Sequence, residues 1–339
     1  MEIDHQLLEY VHSTTVSGVD VESGKLKILS IDELLVETVR LTELYIPDLR
    51  KVAKNVFGLS DDIFSDVEIL VVPSLRFYAE AVRKDGKNVV LMYHGLLYDL
   101  SFAIEVDILQ NAIREFQMPE VLKERAASSI QQLGEEMFLS YLLFPFPLPH
   151  LRAVFTEEMS QREGLMLSAI ELFVIFHEIG HIRLGHLEDS TERLQPIPTQ
   201  FYIDEPNNEL KQQELEADLF AIGCFSDEPK TGVFMEAIFL FLAKLSIFES
   251  FLATESLDHP CAINRLKNLL NTYSGETRDS LIGALGILKE DRLDGLKFQT
   301  FHRQYIRDLD SEDSVRRFWN LVSALFPRNL DRGSRGETH

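Results

Sequence analysis

Residues Leu165 to Leu187 read LMLSAIELFVIFHEIGHIRLGHL, and this stretch sets His177, Glu178 and His181 inside an otherwise apolar helical run. On an α-helix, residues four apart lie one turn along the axis and nearly in line, so the two imidazoles of an H-E-x-x-H pattern converge on a single point. Such a pair suits a zinc ion, which takes nitrogen ligands and keeps one position open for water. Glu178 then stands beside the ion without having to bind it. A water activated by the ion and a carboxylate ready to take its proton point to hydrolytic chemistry.

The flanks favour a real helix. Ser168 and Glu171 have the spacing of a capping box. Ala169, Leu172, Phe173, Phe176, Ile179 and Gly180 supply a broad apolar stripe, and Gly185 is a stop signal. Gly180, lacking a Cβ, lets another element approach closely. Two histidines on a helix are also common as hydrogen-bonded core residues, so a third ligand has to decide.

That ligand is sought on the next helical run, Glu209 to Phe225, ELKQQELEADLFAIGCF. Glu214 and Asp218 are four apart and share a face. Glu214 is the predicted carboxylate ligand, and Asp218 is placed to accept from a ligand histidine's other nitrogen and fix its tautomer. An acid-rich solvated face would look similar on its own; paired with H-E-x-x-H, the ligand reading prevails. The longer pattern H-E-x-x-H-x-x-G-x-x-H fails, because positions 184 and 187 are leucines. His186 reads as a last-turn residue near a helix C-terminus, where an imidazolium is favoured.

At 339 residues the chain exceeds what one core usually organises. A net charge of -22 argues against nucleic acid or an anionic membrane surface as partner. Cys224 and Cys261 are too few for a disulfide framework and suit a reducing cytoplasm. The first residues, MEIDHQLLEY, lack the pattern of a signal peptide. The apolar run Val233 to Leu252 is interrupted by Glu236, Lys244 and Glu249, and reads as a buried helix rather than a membrane span.

In chain order, residues 1–60 read as a helical lead-in, with helical spacing from Ile31 to Val56. Val67 to Pro73 and Asn88 to Tyr93 are β-rich, Phe77 to Val82 is a third candidate strand, and Asp85-Gly86 marks a turn. Residues 102–163 read as a helical insertion, broken at Phe144 to Pro149, whose alternating prolines suit either a loop near the cleft or a rigid connector. Residues 271–327 read as C-terminal helices and 328–339 as a disordered tail. The expected fold is therefore α+β and mostly helical, with a small antiparallel-type sheet packed on the H-E-x-x-H helix of a domain spanning 61–270.

His177-Glu178-Ile179-Gly180-His181 followed by Glu214-Leu215-Glu216-Ala217-Asp218 resembles the gluzincin metallopeptidases of the CAAX prenyl protease and HtpX type. The strand leading into Gly95-Leu96-Leu97, and Leu257 to Leu266 with its His-Pro-x-x-x-x-Arg spacing, carry the same likeness. The resemblance implies a zincin-like fold and zinc held by His177, His181 and Glu214. It implies Glu178 as base, and His259 and Arg265 lining or bracing the cleft. Those relatives usually carry membrane helices and none is read here, so the likeness leans toward the Lit-like phage-exclusion peptidases or the ImmA/IrrE-type peptidases; which is closer stays open. On this reading a protein or peptide substrate lies in extended form beside the Val89 to Tyr93 strand. His259 is the candidate oxyanion donor; the alternatives are that it reaches the metal and blocks it, or that it starts a helix before Pro260. The alternative in another class is a catalytically inactive zincin-fold sensor or protein-binding module. Oligomeric state is not readable.

Overall fold

A computed structural model describes residues 3–14, 18–20, 25–27, 29–74, 79–84, 86–115, 117–130, 156–187, 208–225, 234–242, 245 and 262–272. The elements are α1 (His5–Thr14), β1 (Gly18–Asp20), β2 (Lys25–Lys27), α2 (Ile31–Phe57), β3 (Val67–Val72), β4 (Ala79–Lys84), β5 (Lys87–Tyr93), α3 (His94–Glu115), α4 (Glu157–Arg183), α5 (Asn208–Gly223) and α6 (Ala262–Thr272). Residues 120–130 and 234–242 are helical as well. The fold is α+β and mostly helical.

Local chemistry accounts for the element ends. Ser30 opens α2 with a capping box: its hydroxyl accepts from the Glu33 amide at 3.3 Å, and Glu33 reaches back to the Ser30 amide at 2.9 Å. Gly58 closes α2 at φ 68, a left-handed cap that costs glycine little. α2 then covers one side of β3, where the Thr42 hydroxyl accepts from the Val71 amide at 2.9 Å. That bond satisfies a backbone donor on the strand's outer edge.

The three-stranded sheet has the order β3-β5-β4 and is mixed, not antiparallel throughout. β4 and β5 form an antiparallel hairpin whose last pair, Lys84↔Lys87, leaves two residues for the turn, and Gly86 takes φ 76 there. The hairpin slots β5 between β4 and β3, so β5 runs parallel to β3 in the register Val67↔Asn88 to Val72↔Tyr93. Two nearly continuous apolar runs, VEILVV and NVVLMY, carry no strand direction in themselves; they do carry burial on both faces. Ile69, Val71, Val90 and Met92 join the main core with α4, whereas Leu70, Val72, Leu91 and Tyr93 pack with Leu7, Leu8 and Val11 of α1. The sheet is therefore a middle layer. Because β5 is paired on both sides, the strand expected to receive a peptide is closed; the edge that runs beside α4 is β4.

α4 is the axis of the main core. From Met166 to Ile182 it is buried almost all round, with Phe173, Phe176, Ile170 and Leu172 fully enclosed. Each such side chain contributes roughly 1.5–3 kcal/mol. The helix is long and apolar enough to cross a membrane by length and composition, but 72% of its most apolar window is buried within the fold. It also starts twelve residues earlier than the Ser168 cap signal suggests, at Glu157, with Thr156 as cap, its hydroxyl accepting from the Met159 amide at 3.3 Å. Ser168 and Glu171 lie inside it because Thr156 with Glu157 and Glu158 offers a better start, the two acids favouring the helix N-terminus. Phe234, Ala237, Ile238 and Leu242, in the apolar run read as a buried helix, are indeed buried. Residues 246–252, the proline segment Phe144 to Pro149, and everything beyond Thr272 lie outside the described residues.

Candidate metal centre

The crossing of α4 and α5 builds the site, and Gly180 permits the crossing. A Cβ on Gly180 would meet Ala217 Cα at 3.1 Å, the Ala217 carbonyl oxygen at 3.2 Å and Phe220 Cδ1 at 3.2 Å. With backbone against backbone at this point, the α5 residues flanking Ala217 are carried up to the histidines of α4. Glu214 lies one turn before Ala217 and Asp218 directly after it. Both are buried, Asp218 completely.

Three side chains meet there. His177 Nε2 and His181 Nε2 are 3.2 Å apart, His177 Nε2 is 3.2 Å from Glu214 Oε2, and His181 Nε2 is 3.2 Å from Glu214 Oε1. This is the group of His, Asp, Glu or Cys side chains that could hold a metal ion among the described residues. Glu178, between the two histidines on α4, is half-buried.

The first histidine is braced from behind. Its Nδ1 lies 2.9 Å from Asp218 Oδ1, and Arg265 of α6 grips the same carboxylate with Nε to Oδ2 at 2.8 Å and Nη2 to Oδ1 at 2.5 Å. Burial alone would raise the Asp218 pKa, but the Arg265 charge and the hydrogen bonds from Arg265 and His177 outweigh it and hold the carboxyl below its usual range. An ionised Asp218 can only accept, so Nδ1 of His177 carries the proton and Nε2 faces Glu214. Burial works to lower the His177 pKa, yet its bonds to Asp218 and Glu214 prevail and bring it up to about 10. Two imidazole nitrogens and a carboxylate, converging in a buried space that attracts positive charge, fit a small divalent cation.

His186 is expected in the last turn of the helix, where an imidazolium is favoured; α4 instead ends at Arg183, and His186 lies in the turn beyond it. Its pKa is lowered, by burial first and then by His181, against the pull of Glu216 and Glu214. It sits behind His181 with Nδ1 3.1 Å from His181 Nδ1, and its Nε2 is 3.3 Å from Glu216 Oε2. Neither His186 nor Glu216 was singled out for a role at the site; Gly185 was the available signal, since it turns the chain back. Of the other expected residues, Arg265 reaches the site through Asp218, and His259 lies outside the described residues. Cys224 bonds the Phe220 carbonyl at 3.3 Å, and burial pushes its thiol up to about 11, which leaves no thiolate for nucleophilic attack at neutral pH.

The family model described as Peptidase U49 matches residues 135–285, a span that contains every residue of this cluster. The match supports a peptidase. Searches of curated proteins and of solved structures found no match.

Proposed function

We propose that the chain is a zinc-dependent endopeptidase of the gluzincin kind, acting on a protein or peptide in a reducing cytoplasm as a regulatory or defence protease. Its motifs resemble those of the soluble Lit-like or ImmA/IrrE-type peptidases. The observation that carries the reading is the equal 3.2 Å spacing of His177 Nε2, His181 Nε2 and the Glu214 carboxylate. Ligand atoms about 2.0–2.1 Å from a tetrahedral zinc ion stand about 3.3 Å apart. Calcium, at roughly 2.3–2.6 Å with six to eight oxygens, needs a wider and all-oxygen cage.

Bound zinc supplies a Lewis acid that brings a water's pKa toward neutrality and polarises a carbonyl. The protein's own residues do the rest. Glu178 takes the proton of the attacking water and returns it to the leaving nitrogen. Asp218, anchored by Arg265, keeps the proton of His177 on Nδ1 so that Nε2 stays available as a ligand. A peptide in extended form pairs with the edge of β4, the strand beside α4, and His259 is the candidate donor to the carbonyl oxygen.

The other class, an inactive zincin-fold sensor, leaves Glu178 without a purpose. Metal-loaded protein should cleave unfolded casein or discrete lysate proteins, and a chelator should stop it. Bound zinc with no cleavage of either would favour the sensor.

A further inference from the structure

We infer that His186 and Glu216 form a second positioning chain, which fixes the ring of His181 as Asp218 and Arg265 fix that of His177. The inference rests on the metal-site reading above.

The backbone brings His186 there. α4 ends in a Schellman turn: the His186 amide donates to the His181 carbonyl at 2.9 Å and the Gly185 amide to the Ile182 carbonyl at 3.3 Å, with Gly185 at φ 75. The turn folds the residue after the glycine back over the last coil of the helix, so the imidazole of His186 lies against that of His181, ring centroids 5.2 Å apart and inclined by 70°. The His186 side chain is only 8% exposed.

The donor pattern has one consistent direction. For His181 to offer Nε2 to a metal, its Nδ1 must carry the proton and donate it. Among the described residues, the acceptor in reach is His186 Nδ1, at 3.1 Å. A neutral His186 that accepts on Nδ1 bears its own proton on Nε2, which points to Glu216 Oε2 at 3.3 Å. Glu216 is steadied in turn by Gln212, one turn back on α5, whose Nε2 donates to Oε1 at 3.0 Å. Both ends of this chain belong to the α4–α5 pair, so the crossing that brings Glu214 to the metal also brings Glu216 to His186. His186 is on the side of His181 away from Glu214 and is a positioning residue, not a ligand.

The test is metal affinity by competition with a chromophoric chelator, with the visible spectrum of the cobalt-substituted protein as a second readout. His186→Ala should weaken zinc about 10- to 100-fold, the usual effect of losing a ligand's hydrogen-bond partner, and should shift the cobalt bands. His186→Asn, which keeps an acceptor near the Nδ1 position, should recover most of the affinity. Glu216→Gln, on a half-exposed side chain whose loss leaves the core intact, should give a smaller loss and add little to His186→Ala. Wild-type affinity and an unshifted spectrum in His186→Ala would overturn the inference alone, as would equal losses in the Ala and Asn variants. A wild-type protein that takes up no metal would sink the metal-site reading along with it.

Discussion

Glu178 and Glu171 are two carboxylates on one helix, seven residues apart, with opposite demands. Glu178 is half-buried and lies between the two histidines on α4, and the base role proposed for it requires that it take a proton without contributing to metal retention. Glu178→Gln should keep stoichiometric zinc and lose about 10²–10⁴ in kcat, the usual share of a general base; full activity in a zinc-loaded variant would remove Glu178 from that role. Glu171 is 8% exposed, and burial raises its pKa from 4.5 to about 8. The folded state therefore holds this proton more tightly than the unfolded chain. Stability from this group is intact below pH 4.5 and is lost as pH rises toward 8. Glu171→Gln should flatten that decline, so the variant's melting temperature should exceed the wild type's at pH 8 and converge with it near pH 4.5, both measured without metal.

At the scale of elements, what the sequence disclosed depended on whether neighbouring residues or distant packing held the information. The H-E-x-x-H spacing and the E-x-x-x-D spacing are local, and both register on helices as expected. Gly180 was legible as a close-approach site because a glycine in mid-helix has a cost that needs a reason. The mixed sheet was not legible, because strand direction follows from where the hairpin inserts and not from the apolar runs themselves. The true start of α4 was obscured by Ser168 and Glu171, a capping pattern that burial overrides. His186 was read by its position near a helix terminus, and only the turn at Gly185 reveals the ring against which it folds. The crossing also makes a prediction. Gly180→Ala places a methyl group 3.1 Å from Ala217 Cα, backbone that can yield only by separating the helices. A shift of a few tenths of an ångström moves Glu214 away from both histidines. The variant should stay folded by circular dichroism and bind zinc at least about tenfold more weakly; unchanged affinity would show that the crossing does not set the ligand distance.

For the whole molecule, a cation held by this cluster would be thermodynamically linked to the fold. α4 passes between the sheet and α5, and the donor cluster joins α4 to α5 while Asp218 and Arg265 extend the connection to α6. A cation bound there stabilises only the folded arrangement, by about 2.7 kcal/mol when free metal stands at 100 times its dissociation constant. Chelation should therefore lower the melting temperature by several degrees, in Glu178→Gln as much as in the wild type, and not in Glu214→Ala. The size of the gap should depend on pH with a definite sign. The His177 pKa is raised from 6.5 to about 10 in the ion-free protein, so that form draws stability from its proton below pH 6.5 and loses it as pH climbs through 10. The metal has to displace this proton, and its affinity rises over the same interval. The difference in melting temperature between loaded and chelated protein should widen from pH 6.5 upward, and calorimetric titration in buffers of different ionisation enthalpy should detect about one proton released per ion bound. A gap independent of pH would mean that the cation binds somewhere other than between His177 and Glu214.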